Sequence, residues 1–261
     1  MTIKFQTSDH VILDYTDEGQ GQTVLLLSGV GAYKEVFGAI IPKLVENGYR
    51  VINLDARNQG ASEHTVKGRR MSRHALDVAE LLADLDVDNV IGIGSSMGAA
   101  TLFAYASLFG EGRFAKFVDV DQSPKMISDA TWQYGFESLT WDSFPASLKF
   151  PMGRAAVHKI GDAVFSQMKA AAKAHPYDAQ LNYPLLVDHA FQDWRDIVAS
   201  LKIPLLVVAG RQSPYFDPAF AAVMAKMAKN GSAKVIDHSG HLVMAEQPEA
   251  FWTALRKFLR R

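Results

Sequence analysis

Along this chain, short apolar runs alternate with longer segments whose apolar residues return every three or four positions. The runs at 24–27 (VLLL), 50–54 (RVINL), 89–93 (NVIGI), 114–120 (FAKFVDV) and 203–209 (IPLLVVA) have strand length and little polar alternation. Strands buried on both faces of a sheet look like this. Between them, helices are predicted from about 34 to 47, stopped by Gly48, and from about 72 to 85, with leucines and alanines at helical spacing. Further helices are predicted over 99–108, from about 218 and from about 248, with a strand at 233–236 before the last. Residues 3–5 and 11–15 read as two short strands around a turn, forming an antiparallel edge. Strands alternating with helices predict an α/β fold with a doubly wound, mostly parallel sheet.

The rhythm breaks after Asp121 and resumes near 203. Residues 122–198 lack strand–helix alternation and are rich in aromatics, Trp132, Phe136, Trp141, Phe144, Phe165, Phe191 and Trp194 among them. The expected organisation is a sheet core in two parts, 1–121 and 199–261, with a helical cap inserted at 122–198. Most of the aromatics are expected to form the cap's own small core. A few facing the sheet would line an apolar pocket.

Composition narrows the function classes. The chain has 261 residues, 48% of them hydrophobic, and a formal net charge of −1. That suits one globular domain with room for an insertion, and it offers no basic surface for nucleic acid or an anionic membrane. The absence of cysteine excludes disulfides, thiol catalysis and thiolate metal sites. It fits a reducing compartment, so a cytoplasmic location is expected. The first ten residues lack the apolar core of a signal peptide, and no apolar run reaches membrane-spanning length. His10, His64, His74, His158, His175 and His189 show no metal-ligand spacing, so neither metal nor cofactor is expected.

The chemistry concentrates at Gly94-Ser95-Ser96-Met97-Gly98, between the run at 89–93 and the Ala-rich segment 99–108. Strand, sharp turn and helix are predicted in succession. Gly94 and Gly98 carry no side chains to clash as the chain reverses. Ser96 is thereby pushed into the open above the sheet, at the positive N-terminus of the following helix.

Four features together resemble the α/β-hydrolase superfamily over essentially the whole chain. They are the loop Ser28-Gly29-Val30-Gly31, an Asp-x-Arg-x-x-Gly-x-Ser motif at 55–62, the G-x-S-x-G turn at 94–98, and Ser239-Gly240-His241 followed by Glu246 and Pro248. The resemblance implies that Ser96 is the nucleophile on its elbow and His241 its base, with His238 as the rival histidine. It implies an oxyanion hole made by the backbone N–H groups of Val30 and Met97. Ser28 departs from the family's usual histidine before this glycine, which bears on loop rigidity and not on the donors. Asp55 and Arg57 are expected to knit the 55–62 loop to its neighbours. Tyr33 is expected either to flank the pocket entrance or to cover the core.

The triad acid stays open at this level. In most members it lies three residues past the glycine ending the strand at 203–209, which here is Ser213. Three aspartates are candidates. Asp121 stands 25 residues after Ser96, at the carboxyl end of the preceding core strand, where certain haloalkane dehalogenases carry their acid. Its alternative is a turn residue at 121–124. Asp217 lies further along the 210–217 loop, but Asp217-Pro218 is also the signature of a helix N-cap. Asp119 shares a strand face with Asp121 at period two. A carboxylate in a central strand is costly unless paired, and the His241 imidazole would be such a partner. The order of preference is Asp121, Asp217, Asp119.

The expected activity is that of a serine hydrolase acting on small, mainly apolar carboxylic esters, lactones among them, through an acyl-enzyme on Ser96. The expected partner is a small-molecule ester, with no nucleic acid and no membrane, and the chain a monomer or homodimer. Two other readings stay open. One is carbon–carbon bond hydrolysis or perhydrolysis on the same triad, with Lys149, Arg154, Lys159, Lys169 and Lys173 as a possible clamp for acidic substrates. The other is a non-catalytic ligand-binding or signalling protein.

Overall fold

The computed structural model describes residues 2–137 and 139–260. Eight strands form one sheet: β1 (Thr2–Gln6), β2 (Ile12–Glu18), β3 (Gln22–Leu27), β4 (Tyr49–Asp55), β5 (Val90–Ser95), β6 (Phe114–Val120), β7 (Leu205–Gly210) and β8 (Gly231–Ile236). Their order is β1-β2-β4-β3-β5-β6-β7-β8. The β1–β2 and β2–β4 pairs are antiparallel and every later pair is parallel. The chain is thus an α/β protein with a mostly parallel, doubly wound sheet.

Helices cover both faces. On one side lie α2 (Met71–Asp84), α3 (Met97–Phe109), α6 (Arg195–Ser200) and α7 (Ala219–Met227), packed on Leu25, Phe117, Leu205 and Val207. On the other lie α1 (Ile41–Glu46), α8 (Val243–Glu246) and α9 (Pro248–Leu259), packed on Val24, Leu26, Val118 and Val208. Because successive residues of a strand point to opposite faces, continuous apolar runs are what a sheet covered on both sides requires. No helix among the described residues is long and apolar enough to cross a membrane.

One helix departs from expectation. Residues 34–47 form a 3-10 helix (Lys34–Phe37) and then α1, not one continuous helix. Pro42 sits in the first turn of α1. It has no N–H to donate to the carbonyl four residues back, so the ladder cannot run through it.

Between β6 and α6 the chain is mostly irregular up to about residue 161. It then forms α4 (Asp162–Ala174) and α5 (Ala179–Phe191). Its aromatics do not gather in one place. Trp132 and Trp194 join the main core, Phe136 and Phe165 line the large cavity described below, and Trp141 packs edge-on to Phe144 and Phe191. The buried cluster of this segment is aliphatic: Met126, Ile127, Leu139, Leu148, Leu186 and Ala190.

Parallel pairing aligns the carboxyl ends of β3, β5, β6 and β7 along one edge, with Leu27 opposite Gly94, Ser95 opposite Val120, and Val120 opposite Val208. The turn after β5 is held by close packing. A Cβ on Gly94 would lie 2.2 Å from the Ala99 nitrogen, and one on Gly98 would lie 2.1 Å from the Leu27 carbonyl oxygen. Gly98→Ala must therefore push α3 away from β3. It is expected to cost about 2 kcal/mol or more, read as a lower urea midpoint; an unchanged midpoint would contradict this packing account.

Candidate active site

Ser96 follows β5 and immediately precedes α3. Its backbone has φ 53° and ψ −126°, a sparsely populated conformation for a residue with a Cβ. Two hydrogen bonds hold it there: Ser96 N–H donates to Val120 O at 2.9 Å, and Ala99 N–H donates to Ser96 O at 2.8 Å. The serine side chain faces a cavity of about 540 Å³. Its walls come from the 29–33 loop, the Ser95-Ser96 turn, parts of the segment from Met126 to His189, Tyr215-Phe216 and His241-Leu242.

His241, in the loop between β8 and α8, lines the same cavity and is buried. Its Nδ1 lies 2.7 Å from Asp121 Oδ2. A carboxylate accepts, so Nδ1 is the donor in this bond and Nε2 is turned away from it. The Tyr215 ring packs edge-on to the imidazole at 4.6 Å between centroids, and the His241 amide donates to Ala155 O at 3.0 Å. Asp121 is fully buried at the end of β6. Its Oδ1 accepts the Gly210 N–H at 2.9 Å, and its Oδ2 also accepts the Ser213 hydroxyl at 2.6 Å. No hydrogen bond joins Ser96 Oγ to His241 among the described residues. The serine hydroxyl instead makes a long 3.5 Å contact to Gln122 Oε1.

The other two aspartates lie apart from the histidine. Asp217 is exposed, and its Oδ1 accepts the Ala219 N–H at 2.9 Å at the start of α7, the helix-capping geometry. Asp119 is buried within β6. Its Oδ1 accepts the Gln122 N–H at 3.0 Å, while Oδ2 has no partner. Burial pushes the Asp119 carboxyl well above the usual carboxylate range, and the nearby Asp121 charge adds to the shift.

Met97 follows Ser96 in the chain, and Val30 lines the same cavity. The neighbouring Gly31 N–H is occupied, donating to Gln59 Oε1 at 2.6 Å. The Val30 N–H has no hydrogen-bond partner among the described residues, and Met97, as the first residue of α3, has no acceptor within its helix. The loop that carries Val30 is anchored from behind. Lys34 N–H donates to Asp55 Oδ1 at 2.9 Å, and Lys34 Nζ reaches Asp14 at 2.5 Å and Asp55 at 2.7 Å, all three residues being buried. Arg57 is likewise buried between Asp77 and Asp9. Tyr33 lines the cavity, and its hydroxyl donates to His175 O at 3.0 Å.

Of the five cationic residues considered for a clamp, Arg154 and Lys169 line the cavity. Lys159 pairs with Asp162, and Lys149 lies over the Tyr183 ring. Among the described residues no three His, Asp or Glu side chains converge as a metal site would require.

Sequence reasoning missed the part played by Glu246. Its carboxylate accepts the N–H groups of Val157 (3.0 Å), His158 (2.7 Å) and Gly240 (3.0 Å) on one oxygen and that of Leu242 (3.2 Å) on the other. It therefore ties both neighbours of His241 to the segment before α4. The only signal was its place in the motif at 239–248, because its partners are main-chain groups.

A profile described as "Alpha/beta hydrolase family" matches residues 24–254. A non-heme chloroperoxidase of Streptomyces lividans is 27% identical, the alignment covering 97% of this chain and 98% of the relative. Among solved structures, an esterase from Exiguobacterium antarcticum superposes with a TM-score of 0.87 at 22% identity, and a bromoperoxidase from Bacillus anthracis with 0.86 at 22%. Each covers 100% of both chains. At such identities the structural likeness speaks for the fold alone.

The Asp119 environment generates a test. Burial favours the protonated form of this carboxyl in the fold, while the unfolded chain ionises it near its ordinary value of 3.8. Its contribution is therefore fully present at low pH and is lost as pH rises from about 4 toward the raised folded value. Asn mimics the neutral acid, so Asp119→Asn is expected to gain on the wild type as pH rises above 4. Denaturant titrations at a series of pH values measure the difference. Parallel stability curves for the two proteins would contradict a protonated Asp119.

Proposed function

The chain belongs to the alpha/beta hydrolase family, and from that premise we propose that it is a serine hydrolase of small, mainly apolar carboxylic esters, lactones among them. The observation that carries this reading is the 2.7 Å contact between His241 Nδ1 and the buried Asp121, on the wall of the cavity that also holds Ser96. In the proposed mechanism Ser96 Oγ attacks the ester carbonyl carbon as its proton passes to His241 Nε2. The charge that develops on the carbonyl oxygen is taken by the N–H groups of Val30 and Met97. His241 then returns the proton to the departing alkoxide, leaving an acyl group on Ser96. A water molecule, deprotonated by His241, attacks the acyl carbon; the carboxylic acid leaves and Ser96 regains its proton. Asp121 holds the histidine in the productive tautomer and stabilises the imidazolium. Ser96 Oγ and His241 come into hydrogen-bond contact when substrate fills the cavity, as catalytic bonds often tighten only then. Segment 122–198 acts as a cap, supplying Met126, Phe136, Met152 and Leu186 to the apolar wall.

A second reading is favoured by the relatives named chloroperoxidase and bromoperoxidase. Hydrogen peroxide in place of water would attack the same acyl carbon and release a peroxy acid. A non-catalytic binding role is disfavoured, because the aspartate-paired histidine stands on the same cavity wall as Ser96.

Turnover of p-nitrophenyl acetate and butyrate tests the proposal. Ser96→Ala is expected to abolish it, with kcat falling by about 10⁴-fold or more, and Asp121→Asn to lower kcat by about 10³-fold or more. Asp217→Asn should stay within about twofold of the wild type. Undiminished turnover in Ser96→Ala would reject the serine mechanism. A larger loss in Asp217→Asn than in Asp121→Asn would move the acid.

A further inference from the structure

His189 is on α5, whose inner side buries Asn182, Leu185, Leu186, His189 and Ala190. Leu186 and His189 line the same cavity as Ser96 and His241. His189 is only 3% exposed, yet its Nδ1 has no partner, and neither ring nitrogen makes a hydrogen bond among the described residues. The tyrosines and the other histidine on this wall are engaged. Tyr33 donates to His175 O, Tyr215 donates to Gly153 O, and His241 is held by Asp121. Arg154 and Lys169 are exposed and solvated. Desolvation pulls the His189 pKa down to about 4. The imidazole is therefore neutral at neutral pH, with one N–H to give and one lone pair to receive. Nδ1 is sealed within the protein, so Nε2 is the nitrogen open to a cavity ligand, and a ligand group that hydrogen-bonds it gives this otherwise unpartnered imidazole a partner.

Resting on the serine-hydrolase reading above, we propose that His189 is a specificity-determining residue that hydrogen-bonds a second, uncharged oxygen on the substrate. The preferred esters then carry a hydroxyl or carbonyl group beyond the scissile bond, in an otherwise apolar acyl or alcohol part. A hydroxyl suits a neutral imidazole best, because it can accept from the N–H or donate to the bare nitrogen. A carboxylate suits it poorly, since a neutral ring gives no charge to balance it in a buried place. Sites built around a hydrogen bond discriminate strongly against the analogue that lacks it, whereas an apolar pocket scarcely distinguishes the two.

The test compares p-nitrophenyl hexanoate with its 2-hydroxy, 3-hydroxy, 6-hydroxy and 3-oxo analogues and with mono-p-nitrophenyl adipate. Enzymes are the wild type, His189→Leu and His189→Gln, each checked for cooperative thermal unfolding. In the wild type at least one oxygenated ester should exceed plain hexanoate by about tenfold or more in kcat/KM. That ratio should collapse to near one in His189→Leu and recover in part in His189→Gln, which keeps a donor and an acceptor. Should the leucine variant fail to fold, a changed ratio in the glutamine variant carries the test. Three results overturn the proposal: no oxygenated ester preferred, a preference that survives in His189→Leu, or the adipate monoester as the best substrate. If plain hexanoate is turned over in a Ser96-dependent way while these ratios fail, only the His189 assignment falls. If no ester is hydrolysed at all, the serine-hydrolase reading falls and this assignment with it.

Discussion

The Asp121 carboxylate is the constraint on which the rest of the site depends. It is fully buried, so its charge must be met by donors, and three meet it: the Gly210 amide, the Ser213 hydroxyl and His241 Nδ1. These donors come from the end of β7, the loop after it and the loop before α8. One carboxylate thus ties the carboxyl end of β6 to its neighbouring strand and to the histidine loop. Removing it would leave three buried donors facing one another, and the histidine would lose the contact that sets its tautomer. Ser213 occupies the chain position where the family resemblance led one to look for an acid. Its hydroxyl now donates to the carboxylate contributed by the adjacent strand.

Around that contact the site is held mostly by main-chain hydrogen bonds to buried side chains. Gln59 occupies the Gly31 amide, Lys34 and Asp55 anchor the same loop from behind, and Glu246 joins the two amides flanking His241 to those of Val157 and His158. The strained backbone at Ser96 persists because β6 and α3 both bond to it. Elements of the sheet core thus bring Ser96, His241 and Asp121 to one edge of a parallel sheet, and much of the remaining cavity wall comes from the segment between β6 and β7. On the proposed reading, chemistry is placed by the sheet and selectivity by side chains such as His189.

Much of this was legible in the chain. Apolar runs of strand length mark a sheet covered on both faces, and the glycine pair around Ser96 marks a turn too tight for side chains, so the fold could be read directly. The 34–47 segment could not, because its helical spacing conceals what Pro42 does to the hydrogen-bond ladder. Ser96 and His241 stood out as candidates through their local motifs. The choice among Asp121, Asp217 and Asp119 was harder, because it turns on which strand end lies beside the histidine loop, and only the three-dimensional arrangement supplies that. Glu246 and Gln59 were nearly invisible. Their partners are backbone amides up to 89 residues away, and an amide carries no sequence signature. His189 read as an ordinary histidine, since a sequence does not distinguish a satisfied buried imidazole from an unsatisfied one.

The central claim is that Ser96 is a nucleophile activated by a histidine that Asp121 orients. Covalent labelling measures this most directly. The protein is treated with an aryl alkylphosphonate, which phosphonylates activated serines, and the adduct is located by mass spectrometry of the peptides, in the wild type and in Asp121→Asn. The account predicts one adduct, on Ser96, forming about 10²-fold or more slowly once Asp121 is replaced. An adduct elsewhere, no adduct, or a rate unchanged by the loss of Asp121 would contradict it.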